Sequence, residues 1–333
     1  MRYMLEGYTT FSQAEAGQTF ERPVYVADYT QGSAKNGEPF LTVTMLDGKT
    51  SQQAKLFSTS AARLENELGV TKQTVADVKI DVSIYNGAKS FTIKDIRPCA
   101  DTSLSASDFA KLPPLDIDQM YDEICRIIKD LPNPKPDKTP LSKPALALLE
   151  EHKEKFKTSS AAVYMHHNYK GGLIYHTYRM VKAAAAMCEI YKELDKEILV
   201  CATALHDLGK IHEYNTDPVG NAETTELAAL YGHLYLGAMF FSNKCAQITG
   251  CDKERQRLLT HCILAHHGQG EWGAVRTPAT PEAFALHYID NLDAKIESCN
   301  IMYEQTQPGK STEKKLAGFD RLYKPSYLDD TDE

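Results

Sequence analysis

No CxxC pair occurs among the eight cysteines, which are scattered at Cys99, Cys125, Cys188, Cys201, Cys245, Cys251, Cys262 and Cys299. That spacing excludes a zinc ribbon and a thioredoxin-like motif. Free thiols on apolar faces behave as small hydrophobes, as expected in a reducing compartment. A long hydrophobic run is missing too: AAAAMC at 183–188 is bounded by Lys182 and Glu189, far short of the roughly 20 apolar residues that span a bilayer. The opening MRYMLEGYTTFSQAEAGQTF has no apolar segment of the signal-peptide kind. The expectation is a soluble, cytoplasmic protein with no membrane partner. Basic charge is not in excess either. A net charge of −8 argues against non-specific coating of nucleic acid by phosphate neutralisation. The deficit lies beyond residue 100, because residues 1–100 carry eleven basic and eleven acidic side chains. Any nucleic-acid contact is therefore local, and the neutral N-terminal part is its better host.

What is present is a globular composition, 42% hydrophobic and 25% charged, over 333 residues, enough for two domains. Up to residue 98 the pattern is that of short strands: Phe20 to Ala27, Pro39 to Leu46, Thr50 to Phe57, Val78 to Tyr85 and Ser90 to Ile96. Turn signals at Ala34-Lys35-Asn36-Gly37, Asp47-Gly48 and Asn86-Gly87 separate them. A helical patch from Thr59 to Leu68 stands between the third and fourth. Five strands with that interruption predict an OB-type β-barrel over 1–98. Such barrels hold single strands by stacking bases on aromatic rings, which makes Phe40, Phe57, Tyr85 and Phe91 candidates, with Lys35 as a phosphate contact. The competing reading puts the rings in the barrel core and leaves Lys35 and Lys55 solvated. Residues 99–142 read as a connector with one helix, Ile117 to Leu131, broken by Pro132-Asn133-Pro134-Lys135-Pro136. Residues 143–306 read as almost entirely helical, with segments near 143–157, 173–194, 196–208, 224–247, 253–267 and 281–303. Residues 307–333 read as a polar tail with a frayed acidic end, Asp329 to Glu333. The fold class is thus α+β and multidomain, a β-barrel followed by an all-α domain.

Three strings in the helical part carry the chemistry: Tyr175-His176-Thr177, Ala204-Leu205-His206-Asp207-Leu208-Gly209-Lys210 and Tyr288-Ile289-Asp290-Asn291. Each sets His or Asp in an apolar helical stretch, and burying such groups is costly unless something pairs with them. Mixed imidazole and carboxylate suit Mn, Fe, Co, Ni or Zn better than Ca or Mg. His206 and Asp207 are neighbours that point about 100° apart on a helix, so the pair can serve two ions, with Asp207 as a bridge. A lone His on an apolar face is ordinarily a satisfied core residue, but a convergent set is not. The candidate ligands are His176, His206, Asp207, His233, His266 and Asp290. His267 and His261 compete with His266, since the turn of a helix prevents all three from aiming at one point. Asp293 lies three residues after Asp290, on nearly the same face. His152, His166, His167, His212 and His287 read as supporting donors or surface residues. Lys210 is either a cation at a helix C-terminus or a catalytic group that holds a phosphate oxygen.

The order His, His-Asp, Asp resembles the HD superfamily of metal-dependent phosphohydrolases. The strings HHNYKGGLIYHT at 166–177, LHDLGKIHEY at 205–214, YGHLYLG at 231–237, HCILAHHGQGEWG at 261–273 and ALHYIDNLDAK at 285–295 resemble the YhaM-type 3′–5′ exoribonucleases. The resemblance covers nearly the whole chain and is looser in the barrel, where KNGEPFLTVTMLDG is the best stretch. It implies an OB domain joined to an HD domain, a metal-dependent 3′–5′ exoribonuclease, and Mn²⁺ as the metal. By this reading two ions about 3.5 to 4 Å apart activate a bridging water as hydroxide, the barrel holds a single strand of RNA or DNA, and nucleoside 5′-monophosphates leave. Where an EYGS-like string is expected, this chain has Glu271-Trp272-Gly273-Ala274, which keeps an aromatic and loses a hydroxyl.

Two other readings remain at this level. An HD phosphodiesterase or phosphatase for small or cyclic nucleotides would need no barrel, and a GYP motif after His266-His267 is absent. A non-catalytic nucleic-acid-binding factor would ordinarily have lost ligands that are all filled here. The oligomeric state is left open, a homo-oligomer included.

Overall fold

The computed structural model describes residues 5–86, 88–162, 169–304 and 306–329. The chain divides into two compact units: Met1–Leu112 with Pro218–Gly220, and Pro113–Asp217 with Asn221–Glu333.

In the first unit, β1 (Thr19–Ser33), β2 (Pro39–Leu46), β3 (Ser51–Phe57), β4 (Thr74–Tyr85) and β5 (Ala88–Pro98) form a closed barrel in the order β1-β2-β3-β5-β4. β1 pairs antiparallel with both β2 and β4, and a register shift between Val26 and Asp28 lets its fifteen residues bend from one neighbour to the other. A parallel pairing of β3 with β5 closes the barrel. Helix α1 (Ala61–Asn66) lies between β3 and β4, capped by Ser60, whose side chain accepts from the Arg63 N–H. This is the OB-type arrangement expected. Period-2 alternation sorts the side chains: Leu41, Val43 and Met45 point inward from β2, while Phe40, Thr42 and Thr44 alternate with them on the outside. Arg22 and Asp47 are both buried; Arg22 donates to the Asp47 carbonyl at 2.8 Å, and the Asp47 carboxylate accepts from the Thr50 and Lys49 N–H groups.

The second unit is helical. Its helices are α2 (Ile117–Lys129), α3 (Ser142–Glu151), α4 (Lys153–Thr158), α5 (Gly172–Ile190), α6 (Lys196–Leu205), α7 (Lys210–Glu213), α8 (Glu226–Leu230), α9 (Gly232–Gln247), α10 (Lys253–Ala265) and α11 (Pro281–Glu304). Helix α6 is buried from Glu197 to Leu205 and packs against α3, α5, α10 and α11. Its start is fixed by Asp195, which accepts from the Ile198 N–H and pairs with Arg255 of α10. Arg255 also reaches the buried Glu197 at 2.9 Å, and Glu197 accepts from the Ser142 N–H.

Three departures from the sequence pattern have local causes. A hairpin of β6 (Tyr214–Thr216) and β7 (Ala222–Thr224) interrupts the helices, because Pro218 and Gly220, at φ +99°, turn the chain and the Asp217 carboxylate holds the Asn221 N–H. The segment 224–247 splits into α8 and α9 at Gly232, whose φ is +70°. The stretch from 307 is more than a polar tail: β8 (Ser311–Lys315) pairs with β9 (Arg321–Tyr323) around Gly318, at φ +80°. The expected fraying of the acidic end falls on residues mostly outside those described. Among the described residues, no helix is long and apolar enough to cross a membrane.

Candidate metal centre

Five elements bring imidazoles and carboxylates to one place. His176 stands on α5, His206 and Asp207 follow the last residue of α6, His233 begins α9, His266 and His267 follow α10, and Asp290 lies on α11. Asp207, buried at 3% exposure, is the centre. Its Oδ2 lies 3.3 Å from His206 Nε2 and 3.8 Å from His176 Nε2, and its Oδ1 lies 3.4 Å from His233 Nε2 and 3.6 Å from His266 Nε2. His176 Nε2 is also 3.3 Å from Asp290 Oδ1, and His233 Nε2 is 3.3 Å from His267 Nε2. Two groups result, His176-His206-Asp207 and His233-His266-His267, and each oxygen of Asp207 faces one of them.

The backbone explains why these nitrogens converge. His206 and His266 each sit at a helix end and point Nδ1 at the carbonyl three residues back, Thr203 and Ile263, both at 2.8 Å. A carbonyl only accepts, so Nδ1 carries the proton and Nε2 faces the cluster. His176 Nδ1 faces Asp293 Oδ2 at 2.8 Å, while Asp293 Oδ1 takes Arg179 Nε at 2.7 Å and Arg179 reaches on to Glu297 at 3.1 Å. His233 Nδ1 lies 2.8 Å from Glu213 Oε2. Four imidazoles are thus turned through Nδ1 to present Nε2.

Charge follows the same plan. Burial alone would raise the Asp207 carboxyl, but Lys210, 2.7 Å away, and His206 hold it well below the usual carboxylate range. Burial opposes a charged His176, yet Asp290 and Asp293 push it up to about 9. Burial lowers His233 and His266, and takes His267 down to about 4 with help from His266. Neutral His233, His266 and His267 beside an ionised Asp207 are in the protonation states that ligate metals, whereas His176, raised by its two carboxylates, gives up its Nε2 proton when it ligates.

The residues fit a divalent ion. His206 Nε2, His266 Nε2 and Asp207 Oδ1 are buried with no hydrogen-bond partner among the described residues, a costly arrangement that coordination would relieve. Two nitrogen ligands about 2.1 Å from a tetrahedral ion lie roughly 3.4 Å apart, and the spacings here are 3.3 to 3.8 Å.

The other candidates are placed as follows. His267 joins the cluster because the helix ends at Ala265 and Gly268, at φ +82°, turns the chain away, so the helical constraint on adjacent residues no longer holds. His261 lies apart, its Nε2 accepting from the Ala279 N–H. His287 donates from Nδ1 to the His266 carbonyl at 2.8 Å. His152 and His212 pack with each other and Phe240. His166 and His167 lie outside the described residues. Lys210 opens α7 rather than closing a helix, and its ammonium is the ion-pair partner of Asp207. The sequence reading missed Glu213 and Arg179; the signal for Arg179 was its place three residues after His176, on the same helix face.

On the barrel, Phe40 and Phe57 are directly paired across β2 and β3, with ring centroids 6.0 Å apart, and Phe57 is 52% exposed. Lys55 sits 4.6 Å over the Phe40 ring and donates to Thr42. Gly32 makes room for that ring, since a Cβ there would lie 2.6 Å from it. Lys35 is exposed in the β1–β2 turn and Tyr85 is 70% exposed at the end of β4. Phe91 corrects the sequence reading: it points inward, is 4% exposed and packs edge-on against Phe11. It alternates with Ser90 and Thr92 and shares the inner face with Ile93, so it is core.

A family profile described as HD domain matches residues 173–295, the span of the cluster. A 3′–5′ exoribonuclease YhaM of Bacillus subtilis is 34% identical over 315 residues, covering 94% of this chain and 97% of that protein. Its namesake in Bacillus pumilus is 33% identical over 326 residues, covering 97% and 99%, and that of Shouchella clausii is 34% identical over 318, covering 93% and 95%. Among solved structures, the mitochondrial single-stranded DNA binding protein Rim1 of S. cerevisiae is similar over 25% of this chain and 95% of its own, at 18% identity and a TM-score of 0.21.

Proposed function

The chain belongs to the YhaM family of 3′–5′ exoribonucleases, and from that premise we propose that its cluster around Asp207 holds two divalent ions, Mn²⁺ first among them, and shortens single-stranded RNA from the 3′ end to nucleoside 5′-monophosphates. The observation that carries the proposal is the carboxylate of Asp207, whose two oxygens face two separate groups of ligating atoms. His176, His206, Asp207 and Asp290 would hold one ion, and Asp207, His233, His266 and His267 the other. Bound there, such ions supply Lewis-acid activation of water and neutralise charge on the phosphodiester.

The chain's own residues do the rest. Asp293, Thr203, Glu213 and Ile263 fix the imidazoles through Nδ1, so that no ligand must reorganise during turnover. Lys210 pairs with Asp207 at 2.7 Å and helps to keep it ionised, and the same ammonium would hold a phosphoryl oxygen of the substrate. On the barrel, Phe40 and Phe57 give a stacking surface, with Lys55 and Lys35 as cations and Tyr85 at the β4–β5 turn. Single-stranded DNA is the second substrate, and the cytoplasm the site of action.

The test is a time course on 5′-labelled and 3′-labelled single-stranded RNA, and matched DNA, with Mn²⁺ and with EDTA. The proposal expects a ladder shortened from the 3′ end on the 5′-labelled strand, immediate release of a labelled mononucleotide from the 3′-labelled one, and no cleavage in EDTA. Strand retention without cleavage would support a binding factor instead, and cleavage of cyclic nucleotides alone a small-nucleotide phosphodiesterase.

A further inference from the structure

Trp272, the only tryptophan in the chain, lies on the short loop that follows the ligand pair His266-His267 and is 52% exposed. One face of its ring is stacked on His287, with centroids 5.9 Å apart and planes 28° from parallel. His287 in turn donates to the His266 carbonyl at 2.8 Å. The indole is therefore linked to the cluster through a single side chain, His287, by a stack and by a hydrogen bond to the His266 backbone. The loop is pinned as well as close: Trp272 N–H donates to Gln269 O at 3.1 Å, and Val275 N–H donates back to Leu264 O of α10 at 3.2 Å. Two glycines permit the approach. At Gly268 a Cβ would lie 2.2 Å from the His287 ring, and at Gly273 the backbone takes φ +91°, a conformation that favours glycine.

A large flat ring on a hydrogen-bonded loop, one face against His287 and the residue half open to solvent, has the form of a base-stacking platform. We infer that Trp272 stacks on the base of the 3′-terminal nucleotide, the one being released, and so sets its position relative to Asp207. Any base has a face to offer, so the platform favours nucleotide over other phosphodiesters without selecting sequence. The inference rests on the nuclease reading and adds a substrate contact within it.

Two measurements test it on the full-length protein. The metal-loaded protein is titrated with AMP and with ribose 5-phosphate while the emission of its single tryptophan is followed. AMP is expected to change the emission saturably and ribose 5-phosphate to leave it unchanged; no response to AMP overturns the inference. Second, KM is measured for two 5′-labelled RNAs that differ only in carrying adenosine or an abasic ribose at the 3′ end. The wild type is expected to prefer the intact end by roughly 5- to 150-fold, the worth of one base on an aromatic ring. Trp272→Ala should abolish that preference and Trp272→Phe restore most of it, with unchanged thermal melts. A Trp272→Ala protein that discriminates as the wild type does overturns the inference. A wild type that shortens neither strand overturns the nuclease reading instead, and the AMP titration still decides the stack.

Discussion

At the scale of single residues, the orientation of each imidazole is set by what its Nδ1 meets. For His176 that is Asp293, itself held by Arg179 and Glu297. Partners of this kind are worth 10- to 100-fold in metal affinity. Asp293→Ala is therefore expected to weaken Mn²⁺ binding by about that factor in calorimetry, and Asp293→Asn, which still accepts from Nδ1, to recover part of it; unchanged affinity in both would remove Asp293 from this role. The adjacent pair His266-His267 makes a second residue-scale test. His267→Ala should lower the number of Mn²⁺ ions bound per chain, and His261→Ala, whose nitrogen is taken by the Ala279 N–H, should not. The pair also shows where sequence reasoning ran out. It was sound that neighbours within a helix diverge, but whether the helix ends at 265 or 267 is decided by Gly268, which terminal rules place only to within a residue or two.

At the scale of elements, the site depends on how closely backbones approach. A Cβ on Gly209 would lie 2.1 Å from the carbonyl oxygen of His233, so the corner between α6 and α7 fits against the start of α9 only with glycine there. Gly209→Ala is expected to push α9 away, cost about 1 to 3 kcal/mol as overpacking does, and reduce turnover more than Tm suggests, because His233 moves with the helix; a variant with wild-type melting and turnover would refute this. The helices that carry the cluster were legible beforehand, since His176, His206-Asp207 and Asp290 sit in apolar stretches of helical period. The barrel was legible through its alternation and its Asn-Gly and Asp-Gly turns. What stayed hidden was the product of tertiary contact. Glu213 reaches His233 only after the chain has folded back. The hairpin of β6 and β7 is too short for a periodic signal. Phe91 had the right chemistry for stacking, and only its shared face with Ile93 put it inside.

At the scale of the whole molecule, two units with different stabilising principles should respond differently to chelation. The barrel holds its own core and a buried Arg22–Asp47 pair, whereas both groups of candidate metal ligands found among the described residues lie in the helical unit, around buried atoms that lack hydrogen-bond partners. Ligands that bind only the folded state stabilise it by mass action. Calorimetric melts with and without EDTA should therefore show one metal-sensitive transition and one indifferent to metal; equal shifts in both would contradict the assignment. The central claim is that Asp207 bridges two ions and that cleavage needs both. Its most direct test is to measure Mn²⁺ bound per chain, by elemental analysis after equilibrium dialysis, together with cleavage of 5′-labelled RNA, for the wild type and Asp207→Ala. The account predicts two ions and a 3′-to-5′ ladder for the wild type, with both lost in the variant. An Asp207→Ala protein that keeps two ions, or that still shortens the strand, would contradict it.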